Sequence, residues 1–504
     1  MLCQGQRQAS SPPSQFRVCG ASHRHATAKI PSGRGHLRAT ALSTPLKAIF
    51  RSTLVLLLLQ AISIPAATVT NISAAADHSL FLESDGSLWA MGHNDSGQLG
   101  DGTTNNSYYR EQIVSSGVIA VAAGDYHNLF LKSDGSLWGM GQNLLGQLGD
   151  GTYTNTNLPE QIVSNGVFAI AAGSMHSLFL KSDGSLWAMG RNLSGELGDG
   201  SYFVKTNQPQ LIVSNGVTAI AASGLNSLFL KSDGSLWGTG DNTYGQLGIG
   251  TSGPSNQTNT PQQIVPGDVV AIAAGGLHNL FLKSDGSLWG MGYNGFGQLG
   301  DGTTISTNRP RQIISSNVVA IAAGGDNSFF IKSDGSLWAM GLDQYGELGD
   351  GHADPVYGYY TNNPEQIVPG QVIAIAAGGS HSLFLKSDAS LWAMGLASSG
   401  QLGDTFNASG YYYASIPERI IPLAQPRLNA ITIISRTNVQ LNATCYFSDF
   451  YRVLTATNVT QPLFQWTPVR TNSVTARGSN NFSATLSDAF NPGTIERFYI
   501  LQAQ

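Results

Sequence analysis

Short apolar runs separated by turn residues repeat along most of the chain. In one copy the runs are Ala169–Gly173, Ser177–Lys181 and Leu186–Gly190, and the pair Asp183-Gly184 separates the last two. An Asp-Gly pair between two such runs predicts a β-hairpin, because the tight turn needs a positive φ. A further run, Glu160–Val163, follows a longer loop of the preceding copy. The pattern therefore predicts four short antiparallel strands per copy.

Seven copies of this unit follow one another. Each contains one tryptophan in the same sequence context: Trp89, Trp138, Trp187, Trp237, Trp289, Trp338 and Trp392. The tryptophans are 49 to 54 residues apart. A period near 50 is typical of propellers and solenoids, because a single unit cannot bury its apolar face alone. Four antiparallel strands per unit favour a propeller, with one blade per copy.

Three short motifs recur in these copies: His-Ser-Leu-Phe-Leu, Gly-Ser-Leu-Trp-Ala-Met-Gly and Gly-Gln-Leu-Gly-Asp-Gly-Thr. They resemble the repeat of the regulator of chromosome condensation family, over about Thr68 to Pro422. This resemblance implies a seven-bladed β-propeller, and its style is closest to secreted bacterial members. Nuclear members act as guanine-nucleotide exchange factors for a small GTPase. The secreted bacterial β-lactamase-inhibitor propeller instead binds protein through aromatic loop residues.

Composition and charge narrow the partner class. Only 11% of the 504 residues are charged, and 60 are glycine, which favours strands and tight turns over helices. Residues 1–67 hold eight Lys and Arg and no acid, which leaves 18 basic against 31 acidic residues in the remainder. That remainder carries a net charge near −13, and an acidic surface repels nucleic acid and anionic membranes.

The basic segment ends in a pattern typical of export. Lys47 and Arg51 precede the apolar run Leu54–Leu59, and the small residues Pro65-Ala66-Ala67 follow. This order predicts a signal peptide over residues 45–67, cleaved near Ala66 or Ala67. Residues 1–44 are then a non-structural extension, and the alternative is a disordered basic tail before a membrane anchor. We expect a secreted or cell-envelope protein that meets a membrane only during export.

The repeated histidines are better explained by structure than by chemistry. His78, His127, His176, His278 and His381 occupy the same place in separate copies, whereas a metal site needs ligands that converge. Asn226 and Asn327 fill that place in the fourth and sixth copies, which favours a hydrogen-bonding role. No catalytic triad, zinc motif or paired carboxylates stand apart from the repeat. We therefore expect no catalytic residue, no metal and no cofactor, and we predict a protein that is not an enzyme.

The variable loop after the Gly-Asp-Gly motif carries the candidate binding residues. All of these loops follow the same strand, so they should emerge on one face. Aromatic side chains among Asn, Thr and Ser are suited to recognition on a rigid scaffold. The alternative is that the aromatic rings pack over their own blades. The candidates are Tyr108, Tyr109, Tyr153, Tyr202, Phe203, Tyr357, Tyr359, Tyr360, Tyr411, Tyr412 and Tyr413.

The chain beyond the repeats changes character. Alternating apolar and polar residues predict a small β-sandwich-like module over residues 425–504, and the propeller is expected over residues 68–424. This module resembles a terminal module of secreted bacterial repeat proteins. Sorting or surface attachment and simple capping are both open for it.

The predicted function is that of a monomeric, secreted, non-enzymatic scaffold whose loops recognise a protein partner. Two alternatives stay open, namely exchange activity on a small GTPase and binding or processing of a carbohydrate. Ring closure is also open. It falls either between whole copies or within one blade that mixes strands from both ends, Val69–Ile72 and Arg419–Ile421.

Overall fold

The computed structural model describes residues 67–403 and 412–421, together with six strands of the C-terminal region. Within these residues the chain forms strands, turns and one short 3₁₀ helix, Pro254–Asn256. The leader expected over residues 1–66 lies outside the described residues. In the part of the chain that is described, no helix has the length and apolar character needed to cross a membrane.

The described residues between 69 and 421 form seven antiparallel sheets of four strands, and each sheet keeps the order of the chain. The predicted seven-bladed propeller is therefore confirmed. The four strands of a blade are named a to d. Strands a are Val69–Ala74, Val118–Ala123, Val167–Ala172, Val217–Ser223, Val269–Ala274, Val318–Ala323 and Val372–Ala377. Strands b are His78–Glu83, His127–Lys132, His176–Lys181, Asn226–Lys231, His278–Lys283, Asn327–Lys332 and His381–Lys386. Strands c are Leu88–Gly92, Leu137–Gly141, Leu186–Arg191, Leu236–Gly240, Leu288–Gly292, Leu337–Leu342 and Leu391–Leu396. Strands d are Ser107–Val114, Thr156–Val163, Lys205–Val213, Thr258–Val265, Thr307–Ile314, Tyr360–Val368 and Tyr413–Ile421.

The turn between strands b and c has the chemistry that the sequence predicts. In blade 2, Gly135 has a φ of 79°, and the Ser136 amide donates to Asp134 Oδ1 over 2.9 Å. The Lys132 amide donates to the Ser136 carbonyl over 3.0 Å, which starts the hairpin ladder. The turn therefore sets the register in which Phe130 pairs with Trp138.

The hydrophobic core lies between neighbouring blades. Leu80 and Leu88 of blade 1 pack with Phe130 and Met140 of blade 2 in one buried cluster. Strand b is covered on both faces by neighbouring sheets, and its side chains are buried almost throughout. This explains why strand b is a continuous apolar run and does not alternate with polar residues.

The ring closes between whole blades. Strand a of blade 1 lies beside strand a of blade 7, as the other strands a lie beside their neighbours. The Gly379 amide donates to the Ala75 carbonyl over 2.9 Å, and Phe81 packs with Leu383 in a shared cluster. The first of the two closure alternatives is therefore confirmed, and a blade that mixes strands from both ends is wrong.

The described C-terminal strands form two three-stranded antiparallel sheets. The first joins Arg427–Ile433, Asn438–Thr444 and Asn481–Ser487. The second joins Thr467–Pro468, Tyr451–Ala456 and Phe498–Ala503. The all-β character of this region matches the prediction. A sandwich made of the two sheets stays a prediction, as does the boundary at residue 425.

Candidate functional site

The antiparallel strand order gives the ring two different faces. Connections a–b and c–d emerge on one face, here called the loop face, and connections b–c and d–a emerge on the other, called the turn face. Since every blade has the same order, all seven c–d loops share the loop face, as the sequence predicts. Strands a surround the axis, so the a–b connections are the innermost part of the loop face.

The predicted aromatic residues lie on or beside this face, in blades 1, 2, 3, 6 and 7. These five blades are consecutive, because blade 7 is next to blade 1. Tyr357 is 90% exposed and Phe203 is 77% exposed. Phe203 also lines a shallow cavity of about 390 Å³ with Val204 and Lys205. The other candidates that are largely exposed are Tyr108, Tyr109, Tyr153, Tyr202, Tyr360 and Tyr412. Tyr359 and Tyr413 are half-buried, and Tyr411 lies outside the described residues.

Three of the predicted tyrosines hold neighbouring blades together. The Tyr108 hydroxyl donates to the Ser398 carbonyl of blade 7, and the Tyr202 hydroxyl donates to the Gln257 carbonyl of blade 4, each over 3.2 Å. The Lys205 ammonium of blade 3 lies 4.0 Å from the centre of the Tyr153 ring. The alternative interpretation of the tyrosines is thus partly right, although the rings contact the adjacent blade instead of their own.

An aromatic strip that the sequence interpretation missed crosses blades 4 to 6. It consists of Tyr244, Tyr293, Phe296 and Tyr360. Ring centres are 4.9 Å apart for Tyr244 and Tyr293, 6.0 Å for Tyr293 and Phe296, and 6.4 Å for Phe296 and Tyr360. The first three precede the Gly-Gln-Leu-Gly motif, whereas the predicted residues all belong to the variable loop or the strand after it. Aromatic residues at that earlier position in copies 4 and 5 were the available signal.

Carboxylates accompany the aromatic strip. Gln298 donates to Asp326 Oδ1 over 3.1 Å, and burial raises the pKa of Asp326. Burial, followed by the nearby Asp326 charge, raises the pKa of the Tyr293 hydroxyl. Burial also raises the pKa of Glu347 to about 7. Carboxyl groups held away from water beside aromatic rings favour a ligand that brings positive charge.

Glu196 of blade 3 occupies the position that Glu347 occupies in blade 6, but Glu196 is paired with an arginine. Arg191 Nη1 lies 2.5 Å from Glu196 Oε1, and the Glu196 side chain is fully buried. Leu342 takes the place of that arginine in blade 6, so no ion pair of this kind reaches Glu347 among the described residues. A buried carboxyl group without a cation of this kind therefore lies under the loop face at blade 6.

The histidines form a belt of bonds between blades. Each Nε2 atom contacts a side chain of the next blade, as in His127 with Ser177 and His278 with Ser328, both over 2.8 Å. Burial lowers the pKa of His127 to about 3 and that of His278 to about 4, so these rings are neutral. The structural role predicted for the histidines is confirmed.

The asparagines at the histidine position do not behave as predicted. Within the described residues, the side-chain amides of Asn226 and Asn327 have no hydrogen-bond partner. The hydrogen-bonding role expected for them is therefore wrong, because an Asn side chain is shorter than the imidazole that reaches the next blade. Among the described side chains, no group of three or more His, Cys, Asp or Glu is arranged to hold a metal.

The fold and the repeated motifs agree with a comparison against protein families. The model of the RCC1-like domain matches residues 156–448, which is more than half of the chain. The chain belongs to the RCC1-like domain family. Models of the regulator of chromosome condensation (RCC1) repeat also match residues 69–98, 118–147 and 85–131.

Two solved structures share this fold. Human WBSCR16 is 24% identical, with a TM-score of 0.58, and the match covers 68% of this chain and 96% of WBSCR16. Prp20p from Saccharomyces cerevisiae, studied for its binding to Gsp1p and histones, is 21% identical with a TM-score of 0.59. That match covers 71% of this chain and 88% of Prp20p. Curated proteins provide no match to the sequence.

Proposed function

We propose that this RCC1-like chain is an exported, non-enzymatic scaffold that binds a protein partner on its loop face. The observation that carries the proposal is the aromatic strip of Tyr244, Tyr293, Phe296 and Tyr360. It crosses three blades on one side of the ring. Aromatic residues dominate the energetics of protein interfaces, because they bury a large area at a low cost in side-chain entropy.

The chemistry around the strip points to a partner segment with basic side chains. Asp326 and Glu347 lie in blade 6, which also carries Tyr360 of the strip, and Tyr357 extends the apolar surface there. A lysine or arginine placed over an aromatic ring gains a cation–π contact, and a nearby carboxylate adds attraction. Steering by the acidic charge would raise the rate of association with such a partner.

The export part of the proposal rests on the predicted signal peptide over residues 45–67 and on the acidic charge of the chain beyond it. The non-enzymatic part rests on the roles of the repeated polar residues, which bond neighbouring blades to one another. Exchange activity on a small GTPase is the alternative suggested by Prp20p, which was studied for its binding to Gsp1p. Carbohydrate binding by the aromatic loops is the third possibility.

The test compares the wild-type chain with a variant that lacks the strip. In this variant Tyr244, Tyr293 and Tyr360 become Ser. Partners captured by the wild-type chain are identified, purified and measured again by calorimetry. We expect the affinity for a protein partner to fall at least about 100-fold, since each interface tyrosine contributes on the order of 1–2 kcal/mol.

A matched control removes a similar apolar area from the turn face. Ile119, Val270 and Val319 are exposed at the start of strands a, and their change to Ser leaves the loop face intact. This control should bind as the wild-type chain does. Equal loss in both variants would contradict the assigned face. Acceleration of nucleotide release from a small GTPase, or binding of glycans alone, would replace the proposed function with the corresponding alternative.

A further inference from the structure

One position on the loop face is built in the same way in most blades. In blade 1, Asn94 follows strand c, and its Nδ2 atom donates to Asp101 Oδ1 over 3.1 Å and to the Thr103 carbonyl over 3.3 Å. Its Oδ1 atom accepts the Leu99 amide over 2.9 Å. The amide nitrogen is thus a donor placed among oxygen acceptors. The same pairing joins Asn143 to Asp150, Asn192 to Asp199 and Asn294 to Asp301.

Blade 6 replaces this donor with an oxygen. Asp343 stands where blades 1 to 5 have asparagine, and Asp350 is the conventional aspartate of the pair. Asp343 Oδ1 accepts the Leu348 amide over 2.7 Å, so it reproduces the asparagine oxygen. The second oxygen of Asp343 therefore occupies the place of the amide nitrogen, and the two carboxyl groups face each other.

Both facing groups are enclosed and incompletely bonded. Asp343 is fully buried, and the side chain of Asp350 is only 7% exposed. Within the described residues, the Oδ2 atoms of both have no hydrogen-bond partner. His352 Nδ1 lies 3.2 Å from the other oxygen, Asp350 Oδ1, and the His352 amide also donates to that oxygen. Two enclosed carboxyl groups that face each other cannot both ionise cheaply, and a cation held between their oxygens would allow both to carry charge.

We propose that Asp343 and Asp350 bind a calcium ion, with the backbone carbonyl of His352 and water completing the ligands. The His352 carbonyl is equivalent to the Thr103 carbonyl that accepts the amide in blade 1. All of these ligands are oxygen atoms, and calcium accepts carboxylate, carbonyl and water oxygens in flexible geometry. Two carboxylates supply little charge, so we expect a Kd on the order of 10⁻⁴ to 10⁻³ M.

The site has a consequence for the loop face. The Asp343 amide donates to the Tyr359 carbonyl over 2.8 Å, and Tyr359 precedes Tyr360 of the aromatic strip. Calcium bound between Asp343 and Asp350 would therefore tie the middle of the blade 6 c–d loop to the point where the two ends of this loop meet. The ion would order the loop that carries Tyr357 and would couple calcium to any partner bound there.

The experiment measures calcium binding and thermal stability on the full chain, with calcium chloride and with a chelator. The decisive variant is Asp343→Asn, which restores the residue of blades 1 to 5 and therefore should fold. We expect one calcium per chain for the wild type and none for this variant in titration calorimetry. At a calcium concentration about 100 times Kd, the unfolding midpoint of the wild type should rise by about 3 °C.

Two further variants test whether calcium binding depends on the pair of Asp343 and Asp350. Asp354→Asn changes a half-buried acid of the same loop whose Oδ1 caps two backbone amides, and it should retain the calcium response. Asp350→Asn should lose it. No calcium binding by the wild type would overturn the proposal and leave a proton shared between the two carboxyl groups. Calcium binding retained by Asp343→Asn would place the ion elsewhere, and an equal response to magnesium would contradict calcium as the ligand.

Discussion

The Nε2 atom of His381 lies 2.8 Å from the Oγ atom of Ser79, so a buried hydrogen bond joins the last blade to the first across 302 positions of sequence. The Ser79 hydroxyl donates its single proton to the Gln401 carbonyl over 2.8 Å. His381 must therefore carry its proton on Nε2 and donate it to Ser79. One serine thus connects two segments of blade 7 to blade 1.

Ser79→Ala should destabilise the ring. The change removes both bonds and leaves His381 and the Gln401 carbonyl buried without a partner, which costs about 1–3 kcal/mol. The free energy of unfolding in denaturant measures this cost. The control is Ser382→Ala, since the Ser382 hydroxyl has no partner among the described residues and its loss should cost less than about 0.5 kcal/mol. Equal costs in the two variants would contradict a stabilising role for the bond.

The buried histidines should make the propeller sensitive to acid. Burial lowers the pKa of His176 to about 3, while an unfolded histidine titrates near 6.5. Below pH 6.5 only the unfolded state takes up the proton, so each such histidine lowers stability by about 1.4 kcal/mol per pH unit as the pH falls toward 3. Carboxyl groups with raised pKa values, such as Asp125, oppose this trend, so a single variant must isolate it.

His176→Asn provides that isolation, because asparagine occupies this position in blades 4 and 6. The stability difference between wild type and variant should be constant above pH 7. It should shift by about 2 kcal/mol in favour of the variant between pH 6.5 and pH 5. Urea unfolding at several pH values gives this difference. A difference that does not change with pH would show that His176 is accessible to protons in the folded state.

Removing one partner of the blade 3 ion pair should destabilise the protein more than replacing both partners. Arg191→Leu leaves Glu196 buried without its cation, and we expect a loss of about 3–5 kcal/mol. The double variant with Glu196→Gln should recover most of this loss, because blade 7 naturally combines Leu396 with Gln401 at these positions. Chemical denaturation of both variants measures the recovery. A double variant as unstable as the single one would mean that Arg191 acts through packing alone.

On the proposal that the chain is exported, the mature protein should begin just after Ala66 or Ala67. Recognition of the apolar run Leu54–Leu59 by the export machinery and cleavage after small residues produce this end. Mass spectrometry of the protein from the culture medium determines it. Leu56→Arg with Leu58→Arg should retain the chain inside the cell. Export with residues 1–44 still attached would refute the signal peptide.

Most of the fold could be predicted from the sequence, because every blade repeats the same turn and strand patterns. Asp134-Gly135 predicts its hairpin, and the continuous apolar strand b predicts a sheet covered on both faces. The closure of the ring could not be predicted. It depends on contacts such as the bond from Gly379 to Ala75, which no local pattern encodes.

The candidate site was only partly predictable from sequence. The exposure of Tyr357 follows from its place in a long variable loop, whereas the interblade bonds of Tyr108 and Tyr202 depend on the neighbouring backbone. The contact between the rings of Tyr293 and Tyr244 joins residues of different blades that are 49 positions apart. Such proximity depends on the rotation between blades, which the sequence pattern does not specify.

Closure between whole blades has a consequence for how the chain can be reconnected. Each blade is one continuous segment, so every d–a turn is equivalent to the place where the ring closes. New termini opened at Ser164-Asn165 or Ser315-Ser316, with the original ends of the propeller joined by a linker, would leave all seven sheets intact. The propeller is in this sense a circle without a required starting point, and circular permutants of it should fold to the same ring.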